Sequence, residues 1–447
     1  MQHLVKVSDW DMDALAKIAG QVLSVAEQQQ ADACEVGLSL SEGLSVNVRL
    51  GEIETLEHYR DQSVSITVYK DHQKGSASTS DLSEGAVRES VLAACSIAGY
   101  TGSDSYAGLA DRELMAAGVP DLDLYHPWSI GTEEAIELAK VCETAARDHQ
   151  GIENSEGASV TRYGGCALYA NSNGFMGGYA GSRHSISCSV IAGRNDSMQR
   201  DYWYSVARKP EALEDAAQVG TKAAQRALQR IGARKIKTCK APVIFSAEMA
   251  RSLFGHLIAA ISGASLYRKA SFLLDKKGER IFPEFISISE QPHLLQALGS
   301  APYDNEGVAT NYKELVKDGV LQSYVLDSYA ARKLGMQTTG NAGGVHNLVI
   351  EPGAQSFDEL VQSIDKGLLV TEMMGHGVNI VTGDYSRGAS GFWIENGEIQ
   401  YPVEEITIAA NLKNMFSSVI AVGNDVDVRG NIRTGSVLID NMTIAGS

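Results

Sequence analysis

Apolar residues recur at helical spacing near the start of the chain. Leu15, Ile18, Ala19, Val22, Leu23 and Ala26 share one face, which predicts a helix over 11–30. Four short alternating segments follow, 35–40, 44–50, 53–58 and 64–69, and alternation predicts strands. Glu42-Gly43 and Gly51 read as the turns between them. A second helix opens near Asp81-Leu82-Ser83-Glu84, with Val87, Val91, Leu92, Cys95 and Ala98 on one side.

The same order then recurs. A helix is predicted over 133–149, with Ala135, Leu138, Ala139, Cys142 and Ala146 facing inward. Strands follow near 158–162, 166–170, 177–182 and 185–192, with an Asn171-Ser172-Asn173-Gly174 turn among them. A long helix over 211–231 closes the set. The second set lies about 122 residues after the first, so residues 10–100 and 132–231 read as one duplicated unit or as two unrelated units of similar length. Either way, helices cover one face of an antiparallel sheet.

The connector 101–131 lacks steady periodicity. Near residue 235 the chain turns basic, through Arg234, Lys235, Lys237 and Lys240, as a solvated linker does. A domain boundary is expected here, between an N-terminal α+β domain, 1–235, and a β-rich C-terminal domain, 241–447. The second half is dense in turn chemistry: Asn305-Glu306-Gly307, Lys317-Asp318-Gly319, 340–344, Glu395-Asn396-Gly397 and Gly423-Asn424-Asp425. One helix, 248–262, is expected to pack on its strands. The fold class is therefore α+β.

Composition narrows the function. The chain is 44% hydrophobic and 21% charged, as soluble globular proteins are. Its 44 glycines against 9 prolines suit a turn-rich β fold. A net charge of −17 argues against nucleic-acid partners and against anionic membranes. The early charges Lys6, Asp9, Asp11 and Asp13 do not read as a signal peptide, and no apolar run reaches the ~18 residues of a membrane span. Six scattered cysteines without a CxxC point to a reducing cytoplasm and away from a thiol zinc site.

Three stretches carry candidate chemistry. Residues 253–269 read LFGHLIAAISGASLYRK. On a helix, Met249, Leu253, Leu257, Ala260 and Ile261 share a face, and His256 sits on its flank about 100° away. A zinc helix of the His-Glu-x-x-His kind needs a second histidine one turn on, and Ala260 stands there instead. In Gly383-Asp384-Tyr385-Ser386-Arg387-Gly388-Ala389-Ser390-Gly391, glycines 388 and 391 would admit a ligand backbone, and Asp384 and Arg387 would pair or orient a substrate. The bland alternative is a glycine-rich hairpin with a local ion pair. The stretch is neither a P-loop nor a nucleophile elbow. His376, between Gly375 and Gly377, has no marked partner, and nothing selects a Ser/His/Asp set.

Several long segments in order resemble one family. LFGHLIAAISGASLYRKASFLLD, APYDNEGVAT, SYAARKLGMQTTGNAGGVHN, TGDYSRGASGFWIENGEIQYPVEEITIA and GSVLIDNMTIAGS, with SITVYKDHQKGSASTSDLS and PDLDLYHP upstream, resemble the PmbA (TldE) branch of the TldD/PmbA family. The resemblance covers essentially the whole chain. It implies a cytoplasmic metalloprotease of two related subunits that acts on unfolded or small peptides. The family is linked to peptide-antibiotic maturation, to antitoxin degradation and, by name, to DNA gyrase.

In the TldD branch the matching helix carries His-Glu-x-x-x-His, and a late cysteine adds a ligand. Anchored on Arg268-Lys269, the first histidine position here is Gly255, the glutamate position is His256 and the second histidine position is Ala260. The cysteine region reads Asp427-Val428-Arg429-Gly430-Asn431, and no cysteine follows Cys239. The resemblance thus implies no metal ligand and no cofactor in this chain, with zinc in a TldD-type partner. The expected role is an accessory subunit, with Asp384, Arg387, Gly388 and Gly391 positioning extended peptides, and a homo-oligomer when alone. The alternative is a self-sufficient peptidase with an unrecognised site.

Overall fold

The computed structural model describes residues 2–4 and 9–446. The first half runs β1 (Gln2–Leu4), α1 (Met12–Gln28), β2 (Ala33–Arg49), β3 (Glu52–Lys70), β4 (Gln73–Thr79), α2 (Glu84–Ala98), α3 (Thr132–Arg147), β5 (Ile152–Asn171), β6 (Met176–Ala192), β7 (Gln199–Ala207) and α4 (Ala216–Gln229). Helices α1 and α4 start where side chains cap them. Asp11 accepts from the Ala14 amide at 2.9 Å, and Asp215 accepts from Gln218 at 3.1 Å. The Asp215 cap places the start of α4 later than the predicted residue 211, which falls in a single 3-10 turn at Pro210–Ala212.

The predicted short strands fuse in pairs. Segments 35–40 and 44–50 belong to β2, and 53–58 and 64–69 to β3; the second unit fuses likewise into β5 and β6. Gly43 shows why it is not a turn. It lies opposite Tyr59, and a Cβ on it would stand 2.3 Å from the Tyr59 ring, so the glycine makes room for an aromatic laid across the strand. The strands β4 and β7 are short or polar, and their patterns gave no signal.

All seven strands form one sheet, ordered β4-β3-β2-β5-β6-β7, with β1 also on β6. The antiparallel β2–β5 pair joins the two units, from Glu35 opposite Asn171 to Val48 opposite Ala158. The units therefore match element by element about the centre of that pair. Helices α1 and α2 cover Val36, Leu38, Ile66, Val68 and Leu168, while α3 and α4 cover Leu44, Val46, Val160, Ile186 and Val190. The covering helices lie on the face of the even-numbered β2 residues.

The second half runs β8 (Cys239–Phe245), α5 (Ala247–Ile261), α6 (Gly263–Tyr267), β9 (Ile288–Glu290), β10 (Lys313–Lys317), β11 (Val320–Leu321), α7 (Ser328–Lys333), β12 (Leu348–Ile350), α8 (Phe357–Gln362), β13 (Lys366–Met374), β14 (Asp384–Glu395), β15 (Glu398–Asn411), α9 (Leu412–Ser417), β16 (Val419–Val422), β17 (Ile432–Arg433) and β18 (Val437–Ala445). Strands β15-β14-β13-β8-β18 close on themselves through a β15–β18 pairing, with β16 outside on β18. This is a small barrel. Val243, Phe245, Leu368, Val370, Ile406 and Ile439 belong to its core, which continues into the buried face of α5. Ile244, Leu369, Ile394 and Leu438 alternate with these and pack with Leu360 and Val361 of α8. A second sheet, β11-β10-β9-β12-β17, lies beside the barrel. The chain is α+β, with a β-rich second half.

The halves are tied at several points. Arg234 of the basic linker stacks on the Tyr401 ring at 3.4 Å, and Lys235 reaches Glu405 at 2.5 Å. Tyr303 donates to the Gly177 carbonyl at 2.7 Å, and Arg208 donates to the carbonyls of Ala297 and Leu298 at 3.0 and 3.1 Å. At a third contact Glu35 accepts from Tyr69 and Tyr169 at 2.9 and 2.8 Å, close to Glu306, whose carboxylate accepts from the Ser328 amide at 3.0 Å.

Burial, with Asp304 nearby, pushes the Glu306 carboxyl from its ordinary 4.5 up to about 7. A raised folded value means that the folded chain holds this proton more tightly than the unfolded chain. Its contribution is full below about 4.5, falls as pH rises to about 7 and stays flat above that. Glu306 is only half-buried, so solvent screening limits the loss to roughly 2 kcal/mol. Glu306→Gln should remove this part of the slope and be the more stable protein at pH 8, read by urea denaturation across pH 5–8.

Candidate functional site

Helix α5 follows β8 directly, and its inner face is fixed by burial. Leu253, Phe254, Leu257, Ala260 and Ile261 are at most 1% exposed. Ala260 is part of that buried face and carries no donor group. Gly255 lies on the side away from that buried face, half-buried; a Cβ there would meet only Ile432 Cδ1, at 4.0 Å. Helix α5 thus runs beside the segment containing residues 427–433, and the two stretches expected to carry ligand positions lie together.

His256 is half-buried. Its ring meets Tyr385 edge-on at 6.0 Å, and its Nε2 is shielded with no hydrogen-bond partner. Burial, then the nearby Arg387 charge, pushes its pKa down, which keeps the ring neutral at pH 7.

At the N-terminus of α5 the structure builds a network that sequence reasoning missed. Arg226 of α4 pairs with Asp201 of β7 at 3.1 Å and with Glu248 at 2.8 Å. Glu248 also pairs with Arg429 at 3.0 Å, and Arg429 pairs with Asp427 at 3.0 Å. Arg251 reaches Asp427 at 3.7 Å and donates to the Tyr204 hydroxyl at 3.2 Å. Arg429 also lies over Trp203 and Tyr204, at 4.1 and 4.5 Å from the ring centres. Burial alone would raise the Asp427 carboxyl, but hydrogen bonds and charge from Arg429, with the Arg251 charge, reverse this and hold it low. Glu248 and Arg429 stand 181 residues apart, so no spacing pattern could have paired them.

The residues proposed to position substrate lie on β14, which is a strand and not a loop. Asp384 and Arg387 do not pair. Asp384 accepts from Thr382 Oγ1 at 2.7 Å and from Asn411 at 3.2 Å, while Arg387 donates to the Gly375 carbonyl at 3.1 Å. Alternation explains it: Tyr385 and Ala389 are buried and Arg387 shares their side, whereas Asp384 and Ser386 are exposed on the other. Gly391 is required by packing, since a Cβ would stand 1.8 Å from the Leu369 carbonyl oxygen; at Gly388 the nearest atom is at 3.5 Å. Elsewhere, His376 is exposed, and His346 bonds to buried Glu290 at 3.1 Å beside Lys313.

Cavities open at the junction of the halves instead. One of ≈580 Å³ is lined by Arg226, Gln229, Phe357, Leu369, Phe392 and Tyr401. Another of ≈420 Å³, sharing Arg226, Ser246 and Phe357 with it, is lined by Trp203, Glu248 and Arg429. Both are of ligand-binding size. Neither is lined by Asp384, Arg387, Gly388 or Gly391.

A small barrel with α5 and α8 packed on it is joined to a two-unit helix–sheet domain, and this scaffold matches a class of metallopeptidases. Family models of PmbA/TldA metallopeptidase domain 1, central domain and C-terminal domain match residues 34–98, 125–231 and 238–446. The chain is 48% identical over 439 residues to Metalloprotease PmbA of Escherichia coli O157:H7, covering 97% of this chain and 98% of that protein. A solved Bacteroides thetaiotaomicron protein that carries the gyrase-modulator name is 30% identical, with a TM-score of 0.92 over 97% of this chain and 99% of that one. TldE of Thermococcus kodakarensis, at 22% identity, shares the fold with a TM-score of 0.81 over 96% of this chain and 100% of that one. The chain belongs to the PmbA/TldD family of metalloproteases.

That family name implies a metal, and the residues present do not fit one. Gly255 and Ala260 offer no donor, His256 is turned against Tyr385, and Asp427 is held by arginines. Among the described residues no three His, Cys, Asp or Glu side chains converge to hold an ion. Nor is any helix among them long and apolar enough to cross a membrane.

The two β14 glycines separate by packing. Gly391→Ala should cost about 3 kcal/mol or more, because main chain must move, whereas Gly388→Ala should stay within about 0.5 kcal/mol. Thermal unfolding of the two variants reads the difference; equal losses would contradict this account of the strand.

Proposed function

We propose that this chain is the TldE/PmbA-type subunit of a heteromeric, cytoplasmic TldD/TldE metalloprotease that cleaves small or unfolded peptides. It holds no zinc itself. The metal and the bond-breaking groups reside in a TldD-type partner, and this chain completes the peptide-binding cavity. The observation that carries the reading is the state of α5. Its three degenerate positions, Gly255, His256 and Ala260, offer at most one imidazole, and the facing segment is committed to the Arg429 network. A catalytic zinc needs about three protein ligands and an open position. The family scaffold is retained while the ligand set is not, as in a subunit kept for shape. Orienting a peptide contributes substantially to rate without any chemistry from the orienting chain. In this reading Asp384 and Arg387 on β14 help to position substrate, with Gly391 keeping the strand close to β13 and Gly388 leaving room for a peptide backbone.

Each chain purified alone should leave small unstructured peptides intact, and the mixture with a TldD-type chain should co-elute and cleave them. Asp384→Ala combined with Arg387→Ala should lower kcat/KM of the mixture about tenfold while co-elution persists. Cleavage by this chain alone, free of any partner, would establish the self-sufficient peptidase instead.

A further inference from the structure

The two helix–sheet–helix units give matching strands different surroundings. In the second unit the first part of β6 is closed on its outer side. Strand β1 pairs in parallel with residues 176–178, and Leu124 of the connector accepts from the Ser182 amide. The matching part of the first unit is open. Strand β4 pairs with β3 only from Val64 to Lys70, and among the described residues no strand pairs with the outer edge of 52–63. Alternate residues of an antiparallel strand turn both N–H and C=O outward, so about six residues there present free backbone groups.

This edge is exposed and held in place. Residues 52–63 are all exposed except half-buried Tyr59. Leu50, Ile53 and Leu56 are 50%, 49% and 41% exposed. Yet the amides of Leu50 and Gly51 donate to the Glu143 carboxylate of α3 at 2.7 and 2.8 Å, and His58 meets Thr132 at 3.1 Å. The Tyr59 ring lies over Gly43. Long open edges are usually shortened, covered or charged. Here the edge is charged, and with one sign in excess: Glu52, Glu57 and Asp61 against Arg60, none of them in an ion pair among the described residues.

Charge selects the occupant. A second copy would bring the same acidic row against itself, whereas a basic strand would meet it with opposite charge and gain backbone hydrogen bonds and the exposed aliphatics. We propose that residues 52–63 of β3 are a docking edge for a partner protein that adds an extended strand with basic side chains. This rests on the two-chain reading above, in which that partner is the TldD-type chain.

Hydrogen–deuterium exchange on this chain, alone and mixed with the TldD-type chain, tests the edge. Amides of 52–63 should exchange at least about tenfold more slowly in the mixture. Reversing exposed charges, Glu52→Lys with Glu57→Lys and Asp61→Lys, should slow association at least about tenfold, while Glu84→Lys with Glu89→Lys on α2 should not. A stable complex with 52–63 unprotected, or one indifferent to the three reversals, overturns the docking edge and leaves the two-chain reading standing. No complex at all with the unmodified chain overturns both. A homodimer that itself protects 52–63 overturns the assignment of partner.

Discussion

The placement of α5 depends on how its two flanks are held. Its inner face is sealed into the barrel core through Leu253, Phe254 and Leu257. Its first turn is held through Glu248, which bridges Arg226 of the sheet domain and Arg429 of the segment before β17. Partly buried charges are costly unless paired, and here each carboxylate meets at least one guanidinium, so the network works only as a set. Removing one partner would leave a charge stranded at the junction. That constraint fixes the helix against both halves of the chain and shapes the cavities beside it.

The same constraint bears on whether the site can hold a metal. In a chain that bound zinc, α5 and the 427–433 segment would both turn donors towards the ion. Here the segment turns Asp427 to arginines, and the helix offers Gly255 and Ala260 with a neutral His256 against Tyr385. Arginine pairs bring geometric rigidity in place of a metal's. The scaffold that positions the helix is intact, which is what a shape-giving subunit requires. The sheet domain fits this role as well, because its second unit is closed by the chain's own β1 and connector while its first unit keeps a long edge open.

Some of this was legible in the sequence and some was not, for physical reasons. Helical periodicity located α1 and α5 to within a few residues, because one buried face repeats at fixed spacing. The long strands were misread as short ones because a mid-strand glycine such as Gly43 looks like a turn until the ring of Tyr59 is seen above it. Asp384 and Arg387 looked like a pair from their spacing, but three residues along a strand place them on opposite faces. The degenerate positions Gly255, His256 and Ala260 come from the family resemblance alone, not from periodicity or spacing. The Glu248–Arg429 bridge, by contrast, joins distant residues whose identities carry no periodic signal.

The central claim is that this chain is a metalloprotease-family subunit without a metal of its own. Metal analysis by mass spectrometry, on this chain and on the TldD-type chain purified separately without chelators, tests it most directly. Zinc well below one equivalent is expected in this chain and about one equivalent in the partner. About one tightly held zinc per copy of this chain, lost on substitution of His256, would contradict it.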